Sequence, residues 1–182
     1  PQGLYIAMER LRGRDLRQLL AAGWRPDPQQ GALIARRVAD ALAYAHAKGV
    51  VHCDIKPANI FMVGRTVPKV LDFGIARVAH AQAVPGFEDL VAGSPHYLAP
   101  AQLKGGTIDR RTDVYALGVV LYELLTRRKA FTGASLEEIK TNVLEGRVPP
   151  VHALRPSVPL ALSRIVERAM AREPEQRHRS AR

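Results

Sequence analysis

The chain has 182 residues, enough for one domain with a buried core, and its 47% apolar content separates it from disordered sequences. No run reaches the ~18 unbroken apolar residues of a membrane-spanning helix, the opening Pro-Gln-Gly-Leu is not expected to be a leader, and the single cysteine, Cys53, excludes an internal disulfide and fits a reducing cytoplasm. The formal charge of +10 comes from 21 Arg and 6 Lys, but these are scattered along the chain without interleaved aromatics, so no nucleic-acid partner is expected.

Residues 4–8, Leu-Tyr-Ile-Ala-Met, form a short apolar run that predicts a buried strand. Gly13 breaks the pattern, and Leu16, Leu19 and Leu20 then recur at helical spacing. Residues 24–27 read as a linker. The next helix has a clear start: Asp27 as cap, Pro28 in the first turn and Gln30 where a capping box needs it. Leu33, Ile34, Val38, Ala41, Leu42 and Ala45 make its apolar face, and Gly49 stops it. Residues 50–51, 60–63 and 70–71 predict very short strands. Residues 75–92 lack periodicity and read as a long loop. Residues 111–126 are apolar almost all round, which predicts a buried helix. Ser135 and Glu138 form a capping-box pattern that opens a helix ending near Gly146. A link containing Pro149, Pro150, Pro156 and Pro159 follows, and residues 160–171 predict the last helix, stopped before Pro174.

Chemistry concentrates between the short strands. The loop His52-Cys53-Asp54-Ile55-Lys56-Pro57-Ala58-Asn59 carries an acid, an amine and an amide within six residues. Phosphoryl transfer needs such a set: a carboxylate to orient a hydroxyl and accept its proton, a cation to steady the moving charge, and an amide oxygen for a hard metal ion. Thirteen residues beyond Asn59 comes Asp72-Phe73-Gly74, whose acid suits Mg²⁺ and whose glycine permits a tight turn.

These segments, with residues 93–100 (Gly-Ser-Pro-His-Tyr-Leu-Ala-Pro) and the Thr112-Asp113 helix start, resemble in order and spacing the signature set of protein kinases, with the flavour of the bacterial serine/threonine enzymes. The resemblance covers essentially the whole chain and implies an α+β protein kinase-like fold: a mainly helical C-lobe with short β ribbons, residues 1–12 being the last N-lobe strand and hinge and residues 13–182 the C-lobe, with most of the N-lobe absent. It implies ATP and Mg²⁺ as cofactors and Ser/Thr hydroxyls of proteins as acceptors. Asp54 would be the catalytic base, Lys56 would contact the transferred phosphate, and Asn59 and Asp72 would hold the metal. Ser94 would hydrogen-bond Asp54 and Lys56. His52 and Phe73 would stack in an internal hydrophobic column, Gly74 would allow the turn after Asp72, and Asp113 would anchor the catalytic loop from below. At the front, Met8 would be the gatekeeper, Glu9 and Leu11 would read adenine through their backbone, Asp15 would reach the ribose and Phe61 would lie under the base.

The sequence also departs from that pattern. No glycine-rich loop, strand lysine or partner glutamate precedes residue 4, so the resemblance implies a fragment of low activity by itself whose covering N-lobe belongs to the same kinase. The alternatives are a pseudokinase or binding scaffold with the same lobe, or a small-molecule phosphotransferase, against which Lys56 and residues 93–100 speak. Cys53 stands where the family has an arginine that pairs with a loop phosphate, and residues 75–92 contain no Ser, Thr or Tyr to receive one. No phosphorylation switch is therefore expected in that loop, and Cys53 is expected to be a small buried filler. Finally, Ala101 replaces the acid that would pair with Arg177. Arg177 is expected to be solvated, or paired with Glu173 or Glu175, or to mark a weakened region.

Overall fold

The computed structural model describes residues 9–64, 66–73, 77–78 and 95–181. The strand expected at residues 4–8 and most of the expected loop at 75–92 lie outside these residues.

Strand β1 (Gly13–Asp15) leads straight into helix α1 (Leu16–Ala21). Asp15 Oδ1 accepts from the Gln18 backbone N–H at 2.8 Å and the Gln18 side chain returns a bond to Asp15, a reciprocal cap that fixes the turn from strand to helix. Helix α2 (Pro28–Ala47) starts the same way, with Asp27 capping Gln30 and Pro28 in the first turn, as its sequence predicts. Its buried face is Gly31, Ile34, Ala35, Val38, Leu42 and Ala45; Ala41, expected inside, is exposed.

Strand β2 (Val50–Val51) precedes the polar loop, which closes in a one-turn 3₁₀ segment at Pro57–Asn59. Strands β3 (Ile60–Val63) and β4 (Val67–Val70) form a hairpin, and β1 adds antiparallel to β3 in the order β1-β3-β4. Gly13, read from sequence as a break, belongs to this sheet. A Cβ there would come within 2.0 Å of the Met62 carbonyl oxygen, so only glycine lets β1 approach β3. The period of two turns Ile60 and Met62 into the core and leaves Phe61 on the other face. Strand β5 (Arg77–Val78) pairs with β2, a two-residue ribbon within a stretch expected to be irregular.

A one-turn segment at Pro95–Tyr97 and the short helix α3 (Pro100–Leu103) lead to α4 (Arg110–Thr126). Twelve of the seventeen residues of α4 are buried, as its all-round apolar pattern requires. Leu42, Ile55, Ile60, Val119 and Leu124 share one core around it, each at most 1% exposed, and each such burial is worth about 1.5–3 kcal/mol. Helix α5 (Leu136–Glu145) is capped by Ser135 Oγ on the Glu138 N–H and ends on Gly146 in the left-handed conformation. The Glu138 carboxylate bonds the Ala134 N–H rather than that of Ser135, so the expected box is only half made. The proline-rich link contains a turn of helix, α6 (Val151–Leu154), that its composition did not predict. Helix α7 (Leu160–Ala169) crosses α4 where Gly118 faces Ala169; a Cβ on Gly118 would lie 2.8 Å from that of Ala169. Among the described residues no helix is long and apolar enough to cross a membrane.

Arg177 is neither solvated nor paired with Glu173 or Glu175 among the described residues. It is 1% exposed, so it is not solvated, and no carboxylate among the described residues pairs with it. Glu175 binds Arg111 instead, and Glu173 makes no ion pair among the described residues. The guanidinium donates to the carbonyls of Ala171 (2.7 Å), Arg172 (2.8 Å) and Arg111 (3.2 Å) and lies over the Tyr115 ring, 4.7 Å from its centroid. The physical reason is that the bonding capacity of a planar guanidinium can be met by carbonyl oxygens and an aromatic face without a formal counter-charge. Burial lowers the Arg177 pKa from its ordinary value, as desolvation of a cation must.

Two predictions follow from the α4 neighbourhood. The Tyr115 hydroxyl is buried without a hydrogen-bond partner among the described residues, and burial, against the opposing charge of Arg177, raises its pKa. Tyr115→Phe keeps the ring under Arg177 and removes the unpaired hydroxyl, so it is expected to stabilise the fold by about 1 kcal/mol; a lower melting temperature in calorimetry contradicts this. Asp109 caps α4 through the Arg111 N–H at 2.7 Å and binds the Arg111 guanidinium at 2.7 Å. Burial raises its pKa, but the Arg111 hydrogen bonds and charge outweigh it, and the net shift is downward. A carboxyl lowered in the folded state contributes stability above its unfolded pKa of ~3.9, and that contribution is lost as pH falls through the folded value. Asp109→Asn, which keeps a capping side chain, should therefore lower the melting temperature at pH 7 but not at pH 2; an equal deficit at both pH values would show that charge is not the cause.

Candidate active site

The site is built outward from a carboxylate that water does not reach. Asp113, 0% exposed in the first turn of α4, accepts from the backbone N–H of His52 through Oδ2 (2.9 Å) and of Cys53 through Oδ1 (2.8 Å). His46 Nε2, from the end of α2, donates to Oδ2 at 2.7 Å. Three donors satisfy the buried charge, and together they pin the loop to two helices.

That pinning holds Cys53 at φ 67°, a left-handed conformation that costs a non-glycine residue about 1–3 kcal/mol. Its carbonyl is fixed from the other side by Gln102 Nε2 at 2.8 Å. The Cys53 thiol is buried and directed at the Val51 carbonyl, 3.6 Å away. The reversal of the chain at Cys53 presents Asp54. Its Oδ2 receives the Lys56 ammonium at 2.7 Å and the Asn59 amide at 2.9 Å, and Asn59 also donates to the Asp54 carbonyl at 2.9 Å. Among the described residues, Oδ1 is the oxygen of Asp54 left for an incoming group.

His52 ties this loop to the next acid. Its Nδ1 accepts from the Asp54 N–H at 3.2 Å, so its Nε2 carries the proton and donates to the Leu71 carbonyl at 2.8 Å. The ring packs against Phe73 with centroids 4.7 Å apart. The Leu71 N–H donates to the Asn59 carbonyl at 2.9 Å, which sets the start of the Asp72 segment beside Asn59. Asp72 has φ 61° and an exposed carboxylate. With the Asn59 amide nitrogen spent on Asp54, its amide oxygen and the Asp72 carboxylate remain as hard oxygen donors, a set that fits Mg²⁺.

The other residues singled out by sequence are placed as follows. Gly74, Ser94 and Met8 lie outside the described residues. Glu9 is at the surface with its carboxylate on Lys69 Nζ at 2.7 Å, which leaves its backbone as the part able to read a base. Leu11 is half-buried just before β1. Asp15 is occupied as the cap of α1, with Arg17 3.6 Å from its Oδ2. Phe61 pairs in register with Asp15 and stands on the sheet face opposite the core.

Two residues that matter here were not singled out from sequence. His46 lies on the same face of α2 as Leu42 and Ala45, and nothing in its spacing names Asp113 as partner. Gln102 is 1% exposed and uses both halves of its amide: Oε1 accepts from the Ala99 N–H at 2.9 Å while Nε2 holds Cys53. A local signal existed, since Ala99-Pro100-Ala101-Gln102 repeats the spacing of Asp27-Pro28-Gln29-Gln30. The bond to a carbonyl 49 positions away has no such signal.

Comparison with known proteins identifies the family. The family model described as the protein kinase domain matches residues 1–180. The chain is 37% identical over 177 residues to the serine/threonine-protein kinase PrkC of Bacillus subtilis, covering 97% of this chain and 27% of that protein. It is 40% identical over 187 residues to the serine/threonine-protein kinase Pkn1 of Myxococcus xanthus (99% and 26%), and 36% identical over 178 residues to the serine/threonine-protein kinase PknB of Mycobacterium leprae (97% and 28%). The chain thus spans about a quarter of the length of the curated relatives it matches. It belongs to the protein kinase domain family, with bacterial serine/threonine-protein kinases among its relatives and a structure that corresponds to the mainly helical lobe of that fold.

Proposed function

We propose that the protein carrying this chain transfers the γ-phosphate of ATP to Ser or Thr hydroxyls of other proteins, and that Asp54, Lys56, Asn59 and Asp72 carry the reaction. The observation that supports this most is the convergence of the Lys56 ammonium and the Asn59 amide on one oxygen of Asp54, in a loop whose backbone is clamped by Asp113 and Gln102. The other oxygen of Asp54 accepts the proton of the substrate hydroxyl while the hydroxyl oxygen of the substrate forms its bond to the γ-phosphorus and the bond from that phosphorus to the ADP leaving group breaks. Lys56, held 2.7 Å from Asp54, is placed to steady charge on the transferred phosphoryl group. Asn59 and Asp72 would hold Mg²⁺, which when bound neutralises phosphate charge and orients the nucleotide. Glu9 and Leu11 are assigned to the adenine edge, Phe61 to its face and Asp15 to the ribose, although Asp15 must share its carboxylate with the cap of α1. The covering lobe expected from the resemblance is assigned to the same polypeptide, and the reaction is assigned to the cytoplasm, which a chain with a single cysteine fits.

In the intact protein, Asp54→Asn should reduce phosphoryl transfer from ATP to a serine peptide by roughly 10²–10⁴-fold with little change in melting temperature; equal rates would remove Asp54 from this role. Gln102→Leu should lower kcat by on the order of 10²-fold through a misplaced Asp54, with a smaller change in KM for ATP. Gln102→Glu, which keeps the acceptor for Ala99 but loses the donor to Cys53, should share most of the kcat loss; full activity in that variant would show that the Cys53 clamp is dispensable.

A further inference from the structure

A cleft of about 470 Å³ opens beside the catalytic loop, between α1, the Pro57–Asn59 turn and the C-terminal end of α4. The charged side chains lining it are Arg17, Arg25, Lys56, Arg127, Lys129 and Glu123. Five are cations and one is an acid.

The acid is already engaged. Glu123 Oε2 accepts from the Tyr97 hydroxyl at 2.6 Å, and burial, followed by the charge of Glu123, pushes the Tyr97 pKa upward, so the phenol remains a donor at physiological pH. The cations are much less committed. Arg17 is 69% exposed and its contact to Asp15 is a long 3.6 Å. Among the described residues Arg25 donates to the carbonyls of Leu20 and Trp24, which orient it without cancelling its charge. Arg127 and Lys129 are exposed, and neither pairs with a carboxylate among the described residues. The end of α4 would favour cations for its dipole alone. That does not account for Arg17 and Arg25, which come from α1 and the linker after it yet face the same cleft. Lys56 joins the cleft to Asp54 and therefore to the point of phosphoryl transfer.

We propose that this cleft selects protein substrates with acidic side chains near the Ser or Thr to be phosphorylated. The inference rests on the kinase reading above and names its substrate class. An extended peptide advances ~3.3 Å per residue, so a carboxylate within three or four positions of the acceptor reaches the cleft while the hydroxyl lies at Asp54. Long-range attraction between an acidic segment and a concave basic surface also raises the rate of encounter.

The test uses the intact protein and two fluorescent peptides with alanine in place of the acceptor serine, one flanked by glutamates and one by lysines. Fluorescence anisotropy at low salt should show the acidic peptide binding at least tenfold more tightly, with the difference shrinking as salt is raised. The double variant Arg127→Glu, Lys129→Glu should erase most of that preference. Equal or tighter binding of the lysine peptide, or an acidic preference untouched by the double variant, overturns the proposal. Because these peptides accept no phosphate, the result does not depend on turnover. Failure of the kinase reading would appear separately, as a serine version of the acidic peptide that binds but gains no phosphate from MgATP.

Discussion

One buried carboxylate organises this molecule. Asp113 accepts hydrogen bonds from two consecutive backbone N–H groups of the loop at residues 52–59 and from His46, and it is itself fixed within the largely buried helix α4. A loop exposes unpaired backbone groups that normally find water, so holding one rigid against a core requires an internal acceptor. A carboxylate supplies two strong acceptor oxygens at the cost of desolvation, a cost offset here by three donors and by its place in the first turn of α4, where the helix dipole favours negative charge. The position of Asp54 is thereby referred to the core rather than to the solvent-facing chain around it.

Rigidity of this kind allows strain to persist. Cys53 and Asp72 both occupy left-handed backbone conformations that favour glycine, one just before the candidate base and the other at the candidate metal ligand. Cys53 is held at its N–H by Asp113 and at its carbonyl by Gln102, so neither peptide unit beside it can relax alone. Gln102 also bonds Ala99, and through it the segment leading into α3 becomes a support of the loop that carries Asp54. Asp72 is linked to the same loop through the Leu71 bonds to Asn59 and His52. The two acids therefore sit on one hydrogen-bonded frame, which reaction geometry sensitive to about 1 Å requires.

Much of this was legible in sequence because its determinants are local. The capping residues Asp27 and Ser135, the all-round apolar pattern of α4 and the spacing of Asp54, Lys56, Asn59 and Asp72 are each set within a few positions. What was not legible depends on partners far apart in the chain. Gly13 is in a strand because β3, nearly fifty residues later, comes close enough to exclude a side chain. The turn at α6 and the ribbon β2-β5 are too short to carry a periodic signal. Arg177 is the instructive failure. An arginine lacking its expected acid reads as a defect when only side-chain charges are counted, yet backbone carbonyls and the face of Tyr115 provide most of what a carboxylate would.

The same shift from chain to space changes the meaning of the net charge. Along the sequence the arginines look scattered, and their number alone argues only for solubility and weak attraction to anions. In the folded chain many are consumed: Arg111 between Asp109 and Glu175, Arg155 on the Leu125 carbonyl, Arg177 in its cage. Those that remain beside Lys56 arrive from α1, the linker after it and the end of α4, and meet a single acid already bound to a phenol. A field of that sign next to Asp54 has a chemical consequence beyond recruitment. In the proposed reaction the phosphate chain of ATP would bring further negative charge to this end of the molecule, and a positive wall beside the acceptor position would moderate the repulsion between that charge and an acidic substrate. On that proposal phosphate and acidic peptide would share one site, with Lys56 at the boundary between them.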